Sequence, residues 1–161
     1  MLTSLNRLRG MPVVWQDRQV GYVERAVADA QARKLAGLVV RRGIGAARWA
    51  AGENVALLGE NCVVLRSKPV RVPEQLYPEM GRAFLLSGEC AGSVTDALIC
   101  KRDLRIRALE ICQSPIKHLM GQRGYAVQFQ PGRSPEEGGV VAVQLLTWAQ
   151  VKQHLKEGED E

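Results

Sequence analysis

Residues 10–41 read GMPVVWQDRQVGYVERAVADAQARKLAGLVVR, and residues 81–112 read GRAFLLSGECAGSVTDALICKRDLRIRALEIC. A shift of 71 residues carries Gly10 onto Gly81, Gly21 onto Gly92, Val23 onto Val94, Ala26 onto Ala97 and Leu38 onto Leu109 without a gap. The first stretch alone is ambiguous. Val20, Val23, Val27, Ala30 and Lys34 fall at helical spacing in an alanine-rich segment, which by itself spells an amphipathic helix. The second copy argues against helix. Ser93 to Arg107 carries β-branched residues, a polar Lys101-Arg102-Asp103 turn and alternation after it, the pattern of a hairpin. If the copies share a fold, Asp29 to Arg33 is a turn as well.

Working outward, Met11 to Trp15 is a short β-favouring run closed by the turn-like Gln16-Asp17-Arg18. Its counterpart is Arg82 to Leu86 with Ser87-Gly88-Glu89. Gly21 and Gly92 then sit just inside the second strand, where a missing side chain marks a bulge or a close backbone approach. Leu38 and Val40 pair with Leu109 and Ile111 as core positions. Val39 is replaced by Glu110, so that face is expected to meet solvent. Leu2, Leu5 and Leu8 make one helical turn or anchor the first strand, and Leu5 matches Leu76 at the same shift.

Beyond Arg41 and Cys112 the copies diverge. The first continues through a strand at Ala46 to Ala50, a helical turn at Glu53 to Leu58 and a strand at Cys62 to Leu65. The second has Pro115 to His118, a glycine-punctuated Met120 to Gln130, the loop Pro131 to Gly139 and a strand at Val140 to Leu145. Thr147 is placed to cap a C-terminal helix with Trp148, Val151 and Leu155 on one inward stripe. Pro69, Pro73 and Pro78 make Arg66 to Pro78 a stiff connector. The division expected is a first unit at 1–68, a proline-containing linker at 69–78 and a second unit at 79–161. Units this small bury too little surface to be robust alone, so the copies are expected to pack on each other or on a partner.

Charge is uneven along the 161 residues. Residues 1–71 hold 12 Lys+Arg against 5 Asp+Glu, a net +7, and residues 72–161 hold 10 against 12, a net −2. A basic half suits anionic partners. Cys62, Cys90, Cys100 and Cys112 show no CxxC spacing and have no neighbouring histidine that would make a zinc site. Free cysteines and a start without signal-peptide pattern imply a reduced, cytoplasmic setting. No apolar run approaches the roughly 18 residues of a membrane span.

Catalytic groupings are sparse. His154 reads as a solvated residue near a helix end, and His118 has no orienting third group beside Cys112. Gly43-Ile44-Gly45 lacks a third glycine and Gly121 to Gly124 lacks the Lys-Ser/Thr of a phosphate loop. Asp17 and Asp29 suit turn chemistry. The candidate interaction set is Arg41, Arg42, Arg48, Arg66, Lys68 and Arg71, at strand ends or in the connector, where arginine can meet phosphate or carboxylate. Trp15, Tyr22 and Trp49 add a stacking option for single-stranded nucleic acid, or are simply buried.

Leu5-Asn-Arg-Leu8-Arg-Gly10-Met-Pro-Val13, Val20-Gly21-Tyr22-Val23 and Gly37-Leu38-Val39-Val40 together resemble the PRC-barrel domain, named for the H subunit of the photosynthetic reaction centre and present in the ribosome maturation factor of the small subunit. Gly81, Ala91-Gly92-Ser-Val94 and Ala108-Leu-Glu-Ile111 look like a second version. The resemblance implies an all-β, mainly antiparallel protein of two tandem small PRC-like barrels with a short C-terminal helix. It brings no catalytic residue, metal, cofactor or small-molecule substrate. The function expected is a non-enzymatic protein-binding adaptor that docks on another protein or on itself. The alternative is RNA or ribosome association through the basic first copy.

Overall fold

The computed structural model describes residues 2–29, 33–74, 81–114, 116, 119–121, 123–131, 140–142 and 144–159. The duplicated stretch is strand in both copies. In the first, β2 (Pro12–Trp15), β3 (Arg18–Ala28) and β4 (Leu35–Arg41) form a meander, joined by β5 (Arg48–Ala51), β6 (Val55–Leu58), β7 (Val63–Leu65) and β8 (Val70–Arg71) in the order β6-β7-β2-β3-β4-β5-β8. The second copy contributes β9 (Arg82–Leu85), β10 (Cys90–Cys100), β11 (Ile106–Cys112), β12 (Gly124–Ala126), β13 (Phe129–Pro131) and β14 (Val140–Ala142). Read from β13 its order is β13-β14-β9-β10-β11-β12, the same path strand for strand. Each sheet is mixed, because β2 runs parallel to β7 and β9 parallel to β14.

The equivalence reaches single residues. The β3–β4 ladder slips between Val23 and Arg25 and again between Val27 and Ala28, and the β10–β11 ladder slips between Val94 and Asp96 and between Leu98 and Ile99, each 71 residues on. Such bulges bend a long strand, so two matching pairs give both copies the same curl. The regions whose sequences diverge keep the plan too. β8 pairs with β5 at Trp49↔Val70, and the bridge Tyr125↔Leu146 makes the matching contact on β12.

Alanine-rich β3 is strand because its partner across the ladder is the apolar, β-branched β4, and pairing with it overrides the weak local preference for helix. Gln16 and Asp17 both take positive φ, 50° and 61°, giving the tight turn that suits a right-twisted two-residue hairpin. The Asp29 side chain accepts from the Arg33 N–H at 2.8 Å, while residues 30–32 of the turn that the second copy implied lie outside the described residues.

The copies meet about a local two-fold axis. Lys34 bridges Arg105, its own equivalent, and two reciprocal hydrogen bonds flank the bridge: Leu35 N–H to Leu104 O at 2.9 Å and Ile106 N–H to Arg33 O at 2.8 Å. The start of the chain then crosses over. β1 (Leu2–Ser4) pairs antiparallel with the end of β10, and α1 (Leu5–Leu8) follows with Ser4 as its N-cap. Asn6 ties the turn to β10 by donating from its backbone to Asp96 and from its side chain to the Thr95 carbonyl, both at 3.1 Å. Leu5 and Leu8 are buried in one cluster that holds Val13, Val23, Leu38 and Val40 of the first copy with Ala97, Ile99, Leu109 and Ile111 of the second. The four core positions read from the repeat are all in it.

Several expectations are corrected. Val39 does not face solvent: it is buried with Val27 and Trp49, and Val72 from the expected linker packs over them. Its counterpart Glu110 instead accepts from the Thr95 hydroxyl at 2.8 Å and from Arg123 at 3.3 Å, so one position serves an apolar cover in one copy and a polar one in the other. Glu53 to Leu58 is not a helical turn throughout; a 3-10 turn at Gly52–Asn54 leads directly into β6. The strand expected to run to Leu145 spans Val140–Ala142. Val70 and Arg71, within the expected linker, form an edge strand of the first sheet.

The C-terminal α2 (Trp148–Glu159) is capped as expected: Thr147 and Gln150 exchange hydrogen bonds, the Thr147 N–H to the Gln150 side chain at 2.8 Å and the Gln150 N–H to the Thr147 hydroxyl at 3.3 Å. Val151 is fully buried, and Trp148 leans on Tyr125 with ring centroids 5.3 Å apart. No helix among the described residues is long and apolar enough to cross a membrane.

Candidate interaction surface

The six basic residues read from the sequence do not form one patch. Arg41 ends β4 opposite Tyr22, and its guanidinium is held by Glu24 at 2.8 and 3.3 Å and by the Gly45 carbonyl at 2.9 Å. The hydrogen bond to Glu24, then its charge, raises the Arg41 pKa further. Arg66 is turned inward to structure: one guanidinium nitrogen donates to the Glu53 and Val55 carbonyls at 2.8 and 2.7 Å, stitching the 3-10 turn to β7. Replacing it by alanine removes two charge-assisted bonds, the one to Val55 part-buried, and Arg66→Ala is expected to lower stability by about 1–2 kcal/mol in urea unfolding.

Arg48 and Arg71 are brought together, directly opposite each other across β5–β8 and both exposed. Like charges directly opposite each other across strands are destabilising, and an anion between them would relieve that repulsion. They share a register with Val40, whereas Arg41 shares one with Tyr22, which puts them on the opposite face of the sheet from Arg41. Arg42 and Lys68 are exposed in loops. Of the aromatics, Trp49 is buried and closed to stacking, Trp15 packs partly against the core, and Tyr22 stays half exposed.

Among the described residues no group of three or more His, Cys, Asp or Glu is placed to hold a metal. His154 is exposed on α2, and His118 lies outside the described residues. The four cysteines are free; Cys100 is buried in β10 and Cys90 is exposed.

Two features escaped sequence reasoning. One is the apolar turn at Ile116, Leu119 and Met120, all strongly exposed, in which the Met120 N–H donates to the Ile116 carbonyl at 3.1 Å. Its i, i+3, i+4 spacing was there to read, but such spacing more commonly marks a buried stripe. The other is a cleft beside the two-fold axis where Arg33 of the first copy converges with Arg105 and Arg107 of the second. These arginines lie more than 70 positions apart, and only the pairing of Lys34 with its own equivalent brings them together.

Asp103 anchors this join. Its carboxylate accepts from the Arg105 N–H at 3.0 Å and pairs with the Arg107 guanidinium at 2.9 Å. Burial acts to raise its pKa, but the Arg105 backbone bond, a Cys100 contact and the positive charge of Arg107 and Arg105 outweigh it and hold the carboxyl below the ordinary value. A lowered folded-state pKa stabilises above the unfolded value, and that stability is lost as pH falls through the folded one. Asp103→Asn is therefore expected to flatten the loss of Tm below about pH 4, with little change at neutral pH beyond the lost pair. A Tm-against-pH series on both proteins checks it.

The chain matches no family model and no curated protein.

Proposed function

We propose that the chain is a non-enzymatic binding module, two small, mainly antiparallel PRC-like barrels joined into one adaptor that docks on a protein partner. The observation that carries this reading is the exposed turn of Ile116, Leu119 and Met120, with fractional exposures of 71%, 87% and 68%. Each apolar side chain left in water forgoes about 25 cal/mol per Å² of burial, and contiguous exposed apolar groups mark places where something else supplies that burial. In the first copy the loop after β4 presents Ile44, wholly exposed, between Gly43 and Gly45, so both copies carry an apolar tip beyond the same strand. The repeated strand order and the PRC-barrel resemblance of the sequence agree with a scaffold that presents loops rather than a reaction centre.

A photo-crosslinking residue at position 120, used in the native cell, tests the reading. Supporting it would be one protein captured with defined stoichiometry and lost on Leu119→Asp. A strict monomer with no crosslinked product would contradict it. The alternative, RNA or ribosome association, draws on Arg48 facing Arg71 within the half of net charge +7. That reading requires RNA affinity that falls steeply with salt and is lost on charge reversal of Arg48 and Arg71.

A further inference from the structure

The cleft beside the two-fold axis has a volume of about 620 Å³. Arg33, Arg105 and Arg107 line it together with the apolar Leu86, Phe129 and Val141 and the amides of Gln128 and Gln130. Among the described residues no acidic side chain lines it, and all three arginines are exposed. Arg107 shares its charge with Asp103 at the margin. The backbones that carry the guanidinium groups are fixed: the Arg33 N–H is bound to Asp29, its carbonyl receives the Ile106 N–H, and the Arg105 N–H is bound to Asp103. The charge is therefore presented from hydrogen-bonded backbone where the two copies meet.

The cleft also borders an open strand. β13 is the last strand of its sheet and pairs only with β14, at Phe129↔Ala142, Gln130↔Val141 and Pro131↔Val140. β13 is three residues long and ends in Pro131, which has no N–H to offer, but among the described residues no strand pairs with its outer side, which leaves a place for a short added segment. An added strand would place alternate side chains toward the cleft and pair its backbone with β13.

We propose that this cleft takes an extended acidic peptide segment of a partner protein, added as a strand along β13 with its carboxylates on Arg33, Arg105 and Arg107. Apolar residues at alternate positions of that segment rest on Leu86, Phe129 and Val141. Charge complementarity selects an acidic occupant, and the open edge selects an extended polypeptide. Nucleic acid is disfavoured because, among the described residues, Phe129 is the one aromatic lining the cleft and it is half-buried, which leaves no row of rings for successive bases. The site shares no residue with the Ile116 turn, so the inference goes beyond the module reading and fails or stands separately from it.

The probe is a fluorescein-labelled peptide of alternating glutamate and valine, with three comparisons: the lysine-valine peptide, the acidic peptide N-methylated at alternate amides, and labelled oligouridine. Anisotropy is expected to rise with the acidic peptide alone, and Arg33→Glu combined with Arg105→Glu is expected to weaken binding at least roughly tenfold. Arg18→Glu with Arg82→Glu, exposed and outside the cleft lining, is expected to leave it unchanged. If the cleft double variant does not fold, amide shifts in the wild-type protein decide: peptide addition should move Gln128, Phe129 and Gln130. No binding of the acidic peptide, equal binding of the N-methylated form, equal loss in the Arg18/Arg82 variant, or tighter oligouridine binding that depends on Arg33 and Arg105 would each overturn the proposal. A partner crosslinked at position 120 while the acidic peptide fails to bind would leave the module reading intact and remove this one.

Discussion

Leu8→Ala is expected to lower stability by about 3–4 kcal/mol, although the residue lies near the start of the chain in a single turn of helix. Chain ends usually tolerate truncation because they are exposed. Leu8 is instead completely buried, in the cluster that unites the copies, and α1 packs on β3 of one sheet and β10 of the other. Removing three methyl(ene) carbons there leaves a cavity whose walls are held by two ladders and relax poorly. Chemical denaturation should show a lower midpoint at unchanged slope. Hydrogen exchange should accelerate in both β3 and β10. Leu57→Ala, at a half-exposed site on β6, serves as the comparison and is expected to cost less than about 0.5 kcal/mol.

Gly92→Ala and Gly21→Ala carry the second large effect. A Cβ on Gly92 would lie 2.2 Å from the Cys112 carbonyl oxygen, and one on Gly21 would lie 2.7 Å from that of Arg41. Arg41 and Cys112 are themselves equivalent, so both copies let the bulged strand approach the end of its neighbour at the same point. The obstructing atoms are backbone within a ladder and cannot swing aside. The φ values of 155° at Gly21 and 137° at Gly92 add strain for any residue with a side chain. Each alanine is expected to cost about 2–4 kcal/mol, with Gly92 the worse of the two. Gly88→Ala tests the cause. Gly88 has φ of 89° but nothing within 4 Å of its Cβ position, so it should cost only about 1 kcal/mol, as conformational strain alone. Equal losses at Gly88 and Gly92 would show that close approach is not the reason for the glycine.

The internal repeat made the meander legible because two sequences had to satisfy one backbone. Ala26 and Ala30 favour helix, but Ala97 sits among Val94, Thr95 and Ile99, and only strand accommodates both. The same comparison misled at Val39. Exchange for Glu110 suggested solvent, whereas the position is covered in both copies by different means, Trp49 and Val72 in one, Thr95 and Arg123 in the other. Covers of that kind come from distant, non-equivalent chain and leave no periodic trace. The crossing of β1 was equally hidden, since three residues of strand have no pattern to separate one partner strand from another. For the surface, charge counting found the basic half but could not sort Arg66, spent on carbonyls, from Arg48 and Arg71, which face each other. The arginines of the cleft required the two-fold pairing before they had a place.

The two copies form one body, through the reciprocal bonds flanking Lys34 and Arg105, the β1 crossover and a shared core. Scanning calorimetry of wild type and Leu8→Ala tests this most directly. A single endotherm is expected, with van't Hoff and calorimetric enthalpies in agreement, and Leu8→Ala should move it downward whole, by roughly 6–16 °C. Two resolved transitions in the wild type, or a variant in which one half melts early while the other stays in place, would contradict it.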